Sequence, residues 1–266
     1  MSQNPISLTK LPISIVIPTY CEEKTLPKLL KSIQDQIIGP YEVIVADAQS
    51  PDKTREIAKK YGCIVVEGGK VAVGRNNGAK VATQEYLLFL DADTRLLTKS
   101  SLIEAFSEFL TQEADIASAG FTPEKEDATK FGYIAGTLVY GWWNSVRRMQ
   151  SVINKALIEG GAFILVKNKV FIHSGGFDEN IGVGEDREFF AQAVAKGYRY
   201  LFLKVHVGTS TRRYATPRKA SRSITSSIGS VIFLALGIYA GSKIVKKVVE
   251  GYGRLGGGEG RGPNED

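Results

Sequence analysis

Cysteine is nearly absent: Cys21 and Cys63 are the only two in 266 residues, and neither has a second cysteine at metal-ligand spacing. That excludes a disulfide framework and leaves at most one bridge open. It fits a reducing compartment, with both side chains read as small apolar fillers. Histidine is as rare. His206 falls in the alternating run LFLKVHV and reads as a structural strand residue rather than a late metal ligand, and His173 reads as a surface helix residue. No G-x-G-x-x-G follows the first apolar run, which disfavours a dinucleotide oxidoreductase. Residues 1–12 lack both an apolar core and a small-residue cleavage site. No signal peptide is therefore expected, and the start of the chain is expected on the cytoplasmic side. Acidic residues are missing from one long stretch. Residues 187–254 hold 13 Lys and Arg against only Glu188 and Glu250, a net of +11, whereas residues 1–186 net −3 and the last twelve −2, within a total of +6. A basic quarter of this kind suits an anionic partner, phosphate, lipid headgroup or nucleic acid, or else a solvated surface.

What is present is ordinary globular material, 43% hydrophobic and 23% charged, which rules out bulk disorder and collagen-like repetition. From residue 13 to about 120, short apolar runs alternate with helix-like stretches, the pattern of βαβ units around a mainly parallel sheet. Strands are predicted at 13–18, 41–47, 63–67, 86–91 and 115–120, with helices at about 25–36, 52–61, 74–83 and 99–111. Ser50, Asp52 and Thr98 are candidate helix caps. Polar residues collect after the first, second and fourth strands, at what is then the sheet's carboxyl edge, where open α/β sheets bind ligands. This arrangement points to a nucleotide-binding α/β domain.

Beyond Gly120 the pattern changes. Residues 131–146 are uncharged and include five aromatics, Trp142 and Trp143 among them. A buried helix is the first reading, and a membrane-facing helix the sharper one. GGAFILV at 160–166 reads as a strand, followed by a short helix and a GGFDE turn at 175–179. Residues 223–242 carry no charge over 20 positions but hold five Ser, one Thr and three Gly. Their length matches a bilayer core, yet cations flank both ends, so spanning, lying in the interface and packing in a core all remain open. The Gly-rich end reads as a flexible tail.

Chemistry concentrates at Asp91-Ala92-Asp93, directly after the apolar run YLLFL. Two carboxylates ending a buried strand repel unless a cation, basic groups or solvent offset them. Mg²⁺ or Mn²⁺ would do so, taking further oxygens from a substrate diphosphate; a helix cap or solvated turn is the plainer reading.

Six segments in order decide between these: PTYCEE at 18–23, DAQSPDKT at 47–54, GRNNGA at 74–79, FLDAD at 89–93, GGFDE at 175–179 and GED at 184–186. Together they resemble family 2 inverting glycosyltransferases of the GT-A fold, over about residues 13–214. Within that family the chain is similar to the membrane-associated branch that includes polyprenyl-phosphate sugar synthases, and TSTRRY at 209–214 is reminiscent of a segment in some of them. The resemblance implies an α/β, Rossmann-like nucleotide-diphospho-sugar transferase fold with a mostly parallel central sheet and a C-terminal apolar helix. It implies that Pro18, Thr19, Tyr20 and Glu22 surround the nucleotide, that Asp47 hydrogen-bonds its base and that Arg75 approaches the diphosphate. Asp91 would meet the ribose or a metal-bound water, Asp93 would ligate Mg²⁺ or Mn²⁺, and Asp186 would be the general base or, with an ionised lipid-phosphate acceptor, a positioning group. Plainer roles are an exposed turn for Glu22 and Asp47 and a surface salt bridge for Arg75. Cys21 stands where many relatives carry Asn, and Arg95 where some carry a further polar metal ligand.

Arg212 and Arg213 are the candidates for acceptor or phosphate binding, with Arg218, Lys219 and Arg222 nearer an anionic membrane surface. The expected domains are an extension at 1–12, the GT-A domain at 13–214, a basic linker with a membrane-associated or transmembrane helix at 215–250, and a tail at 251–266. The expected partners are a UDP- or GDP-linked sugar and a lipid-linked or other membrane-proximal acceptor, with no nucleic acid, since no aromatics interleave with the cations. Localisation is expected to be membrane-associated, with the catalytic domain on the cytoplasmic side. Two other functions stay open: an inactive membrane-bound sugar-nucleotide sensor or scaffold, which the intact Asp91, Asp93 and Asp186 argue against, and a nucleotidyltransferase, which would need a basic Gly-rich loop where PTYCEE stands.

Overall fold

A computed structural model describes residues 10–125, 129–153, 161–182, 184–214 and 216. The expected C-terminal apolar helix at 223–242, the cations Arg218, Lys219 and Arg222, and the tail at 251–266 lie outside the described residues.

The first half is built as its hydrophobic periods require. β1 (Leu11–Thr19), β2 (Pro40–Asp47), β3 (Ile64–Glu67) and β4 (Tyr86–Leu90) are linked by α1 (Leu26–Gln34), α2 (Thr54–Lys60) and α3 (Val71–Val81). All three pairings among these strands are parallel, in the order β3-β2-β1-β4. Alternate residues of β1 serve opposite faces: Ile13, Ile15 and Ile17 pack in one core cluster and Val16 in the other. Strands buried on both faces read as near-continuous apolar runs, as β4 does with Tyr-Leu-Leu-Phe-Leu. α1 and α2 cover one face and α3 the other. Strand order therefore reverses at β1, and the crevice between the carboxyl ends of β1 and β4 is the switch point at which such sheets bind ligands.

The second half adds β5 (Thr94–Leu96), α4 (Ser101–Thr111), β6 (Ile116–Pro123), α5 (Lys130–Ile153), β7 (Phe163–Lys167), α6 (Asn168–Ser174), α7 (Glu185–Ala195) and β8 (Tyr200–Thr209), ending in a 3-10 turn at Arg212–Tyr214. The eight-stranded sheet runs β3-β2-β1-β4-β7-β6-β8-β5. It is mixed rather than uniformly parallel, because β7 lies antiparallel between β4 and β6, and β5 antiparallel on β8. β5, three residues long, is too short to carry a period and was not expected. β6 runs past Gly120 because a register shift after Ser118 lets Phe121, Thr122 and Pro123 continue along β8.

Some local expectations are corrected. α2 begins at Thr54 after Lys53 with no side-chain cap: Asp52 accepts the Thr54 N–H at 3.0 Å one position too early to cap, and Ser50 turns to Asp47. α4 begins after Ser100 without a side-chain cap, and the Thr98 hydroxyl bonds the neighbouring serine hydroxyls. Residues 131–146 are not a wholly buried helix: they belong to the 24-residue α5, which buries Tyr140 and exposes Leu138. Among the described residues no helix is long and apolar enough to cross a membrane. His206 lies against Gly120, where a Cβ would come within 2.7 Å of its Nε2. Burial and the neighbouring Arg148 lower its pKa, and its Nδ1 lies 3.4 Å from the Thr122 hydroxyl. Burial also pushes the Cys63 thiol up to about 11, consistent with a filler.

α3 approaches the sheet more closely than a side chain allows. A Cβ on Gly78 would sit 2.3 Å from Cγ1 of the buried Val16. Gly78→Ala gains about 1 kcal/mol of helix propensity but incurs an overpacking cost of about 1–3 kcal/mol that a buried β-branched partner cannot relieve. The net expectation is destabilisation, read as a lower urea midpoint at unchanged slope; a raised midpoint would refute the close contact.

Candidate active site

The loops after β1 and β2 are fastened to each other around Asp47. This carboxylate is fully buried. It accepts hydrogen bonds from the Thr19 hydroxyl (2.9 Å), the Ser50 N–H (2.9 Å) and the Ser50 hydroxyl (2.7 Å), with Arg55 Nε at 3.9 Å. Asp47 is therefore not an exposed turn residue; it is an interior carboxylate held by Thr19 and Ser50. Ser50 Oγ in turn accepts the Cys21 N–H at 2.9 Å, and Thr54 Oγ1 the Glu22 N–H at 2.9 Å. Cys21 adopts φ +55°, a left-handed conformation in which Asn is common, so the backbone keeps the turn without the amide. Pro18 is half-buried beside Gly74, and Tyr20 is exposed at the rim.

The opposite wall is organised by Arg75 on α3. Its guanidinium is buried and donates to Asp91 Oδ1 (2.8 Å) and Glu185 Oε1 (2.9 Å) while lying 5.2 Å from the Phe177 ring centroid. Its Nε has no hydrogen-bond partner among the described residues. Burial works against the charge, but Asp91, Glu185 and Asp186 outweigh it and raise the pKa. The surface-salt-bridge reading of Arg75 is thus corrected: it is an interior cation that joins the end of β4 to the start of α7. Glu185, the Arg75 partner, carried no role in the sequence reading, although it lies inside the GED motif. Burial and the adjacent Asp186 push its carboxyl above the usual range, with Arg75 opposing. Asn76, next on α3, accepts the Phe177 N–H (3.0 Å) and donates to the Phe177 carbonyl (2.8 Å), which fixes the GGFDE turn.

Asp186 occupies the first turn of α7, which follows Gly184 at φ +86°. Its Oδ2 accepts the Gly161 N–H at 2.6 Å, and the next carbonyl, that of Ala162, accepts the Asp91 N–H at 3.3 Å. One short segment thereby ties Asp186 to the Asp91–Asp93 turn. That turn is also sewn to the far end of the chain: Thr94 pairs with Thr209, and the Ser210 N–H donates to the Asp93 carbonyl at 3.2 Å. The pairing delivers Arg212 across the cleft. Arg212 forks Glu22 through Nη1 (3.1 Å) and Nη2 (2.9 Å) and approaches Asp93 Oδ2 at 3.3 Å. Burial disfavours its charge, but Glu22, Asp93 and Asp91 raise its pKa. Glu22 is consequently a paired, partly buried group and not a free turn residue. The side chain of Arg213 lies outside the description. Arg95 pairs with Glu124 at 2.7 Å.

The donor set suits a hard divalent cation. Asp91 and Asp93 follow β4 two positions apart, and each faces a guanidinium, Arg75 for Asp91 and Arg212 for Asp93. Among the described residues no group of three His, Cys, Asp or Glu forms a closed cage. Mg²⁺ and Mn²⁺ are held in this open manner, by one or two carboxylates with substrate phosphates and water completing the shell.

Residues 14–175 match the family model described as Glycosyl transferase family 2. The O-antigen chain rhamnosyltransferase WbaN of Salmonella anatum is 25% identical over 215 residues, 77% of this chain and 68% of its own. A 4,4'-diaponeurosporenoate glycosyltransferase of Staphylococcus haemolyticus is 36% identical over 110 residues, 38% of this chain, and that match spans only 29% of the relative's length. Among solved structures, the mannosyltransferase PcManGT from Pyrobaculum calidifontis, in complex with GDP-Man and Mn²⁺, aligns with a TM-score of 0.61 at 18% identity over 92% of this chain and 80% of that one. S. aureus TarS 1–349 in complex with UDP aligns at 0.58 and 20% identity over 80% and 64%. At such identities the structures show the shared GT-A fold.

Arg75→Leu strands Asp91, Glu185 and Asp186 without their cation, at a cost of about 3–5 kcal/mol. Unpaired carboxylates have raised folded-state pKa values, so their relief is complete below the ordinary glutamate value of 4.5 and is lost as pH rises through the raised one. The stability gap to the parent, measured by urea melts, is expected to narrow toward acid pH. A gap independent of pH would show that the loss is one of packing alone.

Proposed function

The chain belongs to glycosyl transferase family 2, and we propose that it is a metal-dependent inverting enzyme carrying a sugar from a UDP- or GDP-linked donor to a membrane-proximal acceptor such as a polyprenyl phosphate or a lipid-linked glycan. The observation that carries this reading is the meeting of Asp91, Asp93, Arg212 and Asp186 around one crevice at the sheet's switch point. Asp93, with Asp91, would hold Mg²⁺ or Mn²⁺, which when bound neutralises charge on the departing nucleoside diphosphate. Thr19, Tyr20 and the backbone from Pro18 to Glu22 line the nucleotide side.

The acceptor oxygen attacks the anomeric carbon as the bond to the diphosphate oxygen breaks, with inversion. Asp186 takes the proton of a hydroxyl acceptor during attack. Its two oxygens accept the Gly161 N–H and the Arg187 N–H, which orient the carboxylate, and each oxygen keeps a further lone pair for the acceptor proton. Against an ionised lipid phosphate, Asp186 orients the acceptor instead. Arg212 is suited to the leaving group: it is half exposed, sits on the 3-10 turn, and exchanges two carboxylates for phosphate oxygens of matching fork geometry. Arg75, enclosed by its carboxylates, acts through Asp91 and Glu185 as a positioning residue. A membrane-associated protein with this domain on the cytoplasmic side is part of the same proposal.

The test is donor consumption by the purified chain across UDP- and GDP-sugars with Mn²⁺ or Mg²⁺, with lipid extract as acceptor. One donor is expected to turn over. Asp186→Asn should lower kcat by about 10²–10⁴ with donor affinity kept, and Arg212→Ala should weaken donor binding. Neither turnover nor any donor-dependent thermal shift across the panel would overturn the proposal.

A further inference from the structure

α5 carries an apolar face that nothing among the described residues covers. Phe131, Ile134, Leu138, Trp142 and Met149 are 47%, 53%, 70%, 42% and 56% exposed, and their spacing places them along one side of the helix. The orientation is locked from the other side. Asn144 accepts the Phe121 N–H at 2.9 Å and donates to the Phe121 carbonyl at 2.8 Å. The buried Arg147 lies 4.6 Å from the Phe121 ring centroid and donates to the Ala119 carbonyl at 3.2 Å, and the Tyr140 hydroxyl donates to the Ser210 carbonyl at 3.3 Å. The stripe therefore cannot roll inward.

Its charge selects the partner. α5 contains no acidic residue in its 24 positions, and Lys130 and Arg148 are exposed at either end. A second copy of the same face would set cations against cations, whereas anionic headgroups complement them. The inner side of α5 packs the turn that carries Arg212, and the chain passes Thr216 into Arg218, Lys219 and Arg222. In the sequence, the cationic run thus follows within a few residues of the turn that α5 packs.

We propose that the outer face of α5 is a membrane-docking surface that lies in the headgroup region of an anionic bilayer, with Trp142 at the water-lipid boundary. This deepens the membrane-proximal acceptor proposed above and rests on that reading. The helix lies on the membrane rather than crossing it, in the manner of interfacial amphipathic helices.

Trp142 and Trp143 are the protein's only tryptophans, so selectively excited tryptophan emission reports on this helix alone. The full chain is mixed with phosphatidylcholine vesicles with and without phosphatidylglycerol. The expected result is a blue shift of emission and quenching by brominated acyl chains on the anionic vesicles, weakened by salt. Leu138→Glu should lower vesicle affinity about tenfold, with circular dichroism and metal-dependent donor hydrolysis unchanged, since that side chain is exposed and outside the cleft. Vesicle binding with unshifted, unquenched emission would assign the membrane contact to residues 223–242 and overturn the proposal. So would absence of binding, or a vesicle-independent dimer broken by Leu138→Glu. Donor hydrolysis measured without vesicles separates the two readings: if it persists while the vesicle result fails, only the docking face falls.

Discussion

The arrangement of this protein depends on one buried cation. Arg75 has almost no solvent exposure and touches Asp91 and Glu185, residues from opposite halves of the chain. Desolvating a guanidinium and two carboxylates is costly, and apolar side chains of similar volume would serve stability as well or better. What an apolar substitute cannot do is hold the Asp91–Asp93 turn and the first turn of α7 in one registry. The ion bridge sets the spacing between the carboxylates proposed to hold metal and the one proposed to take a proton. The close seat of α3 makes this possible, since Gly74 and Gly78 let its backbone approach β1 and aim Arg75 beneath the turn.

The two guanidiniums of the cleft differ in kind. Arg75 is enclosed, partnered on two sides and stacked on Phe177, so moving it would expose buried charge. Arg212 is half exposed, on a three-residue turn, whereas its partners Glu22 and Asp93 are largely enclosed. One guanidinium is shut in on every side, and the other keeps a face open to solvent. A cleft rich in carboxylates is steadied by such a countercharge between its walls. The proposed meeting of Arg212 with a diphosphate rests on the same placement, since phosphates joined to a metal on Asp93 would lie beside it.

Contiguous features were legible in the sequence. The βαβ order, the carboxyl-edge loops, the turn after YLLFL and the GED motif each lie within a few residues, where period and residue type speak directly. The joints between them were not. Arg75 meets Asp91 and Glu185 at separations of 16 and 110 residues, and Arg212 meets Glu22 at 190. A cation's sequence neighbours do not tell which carboxylate it will find. For the same reason Asp47 looked like a loop acid while its true setting is the interior, and Glu185 was passed over beside the more suggestive Asp186. β5 escaped because three residues cannot display a period. The register shift in β6 escaped because it follows from pairing with β8, which local composition does not encode. α5 was half legible: its apolar content was plain, but whether an uncharged aromatic run is buried or faces outward depends on which side a partner covers.

The net charge of +6 conceals two fields. Residues 1–186 are slightly acidic, which suits the proposed divalent-cation site but opposes a diphosphate, because carboxylates that draw a metal repel phosphate. Attraction for the proposed anionic donor must then come from elsewhere in the chain, and β8 carries one such cation, Arg212, back to the Asp93 turn. The pairing of β5 with β8 brings Arg212 to the Asp93 edge of the cleft, so a lipid-bound acceptor proposed to bind at Arg212 would be beside the crevice rather than across the protein from it.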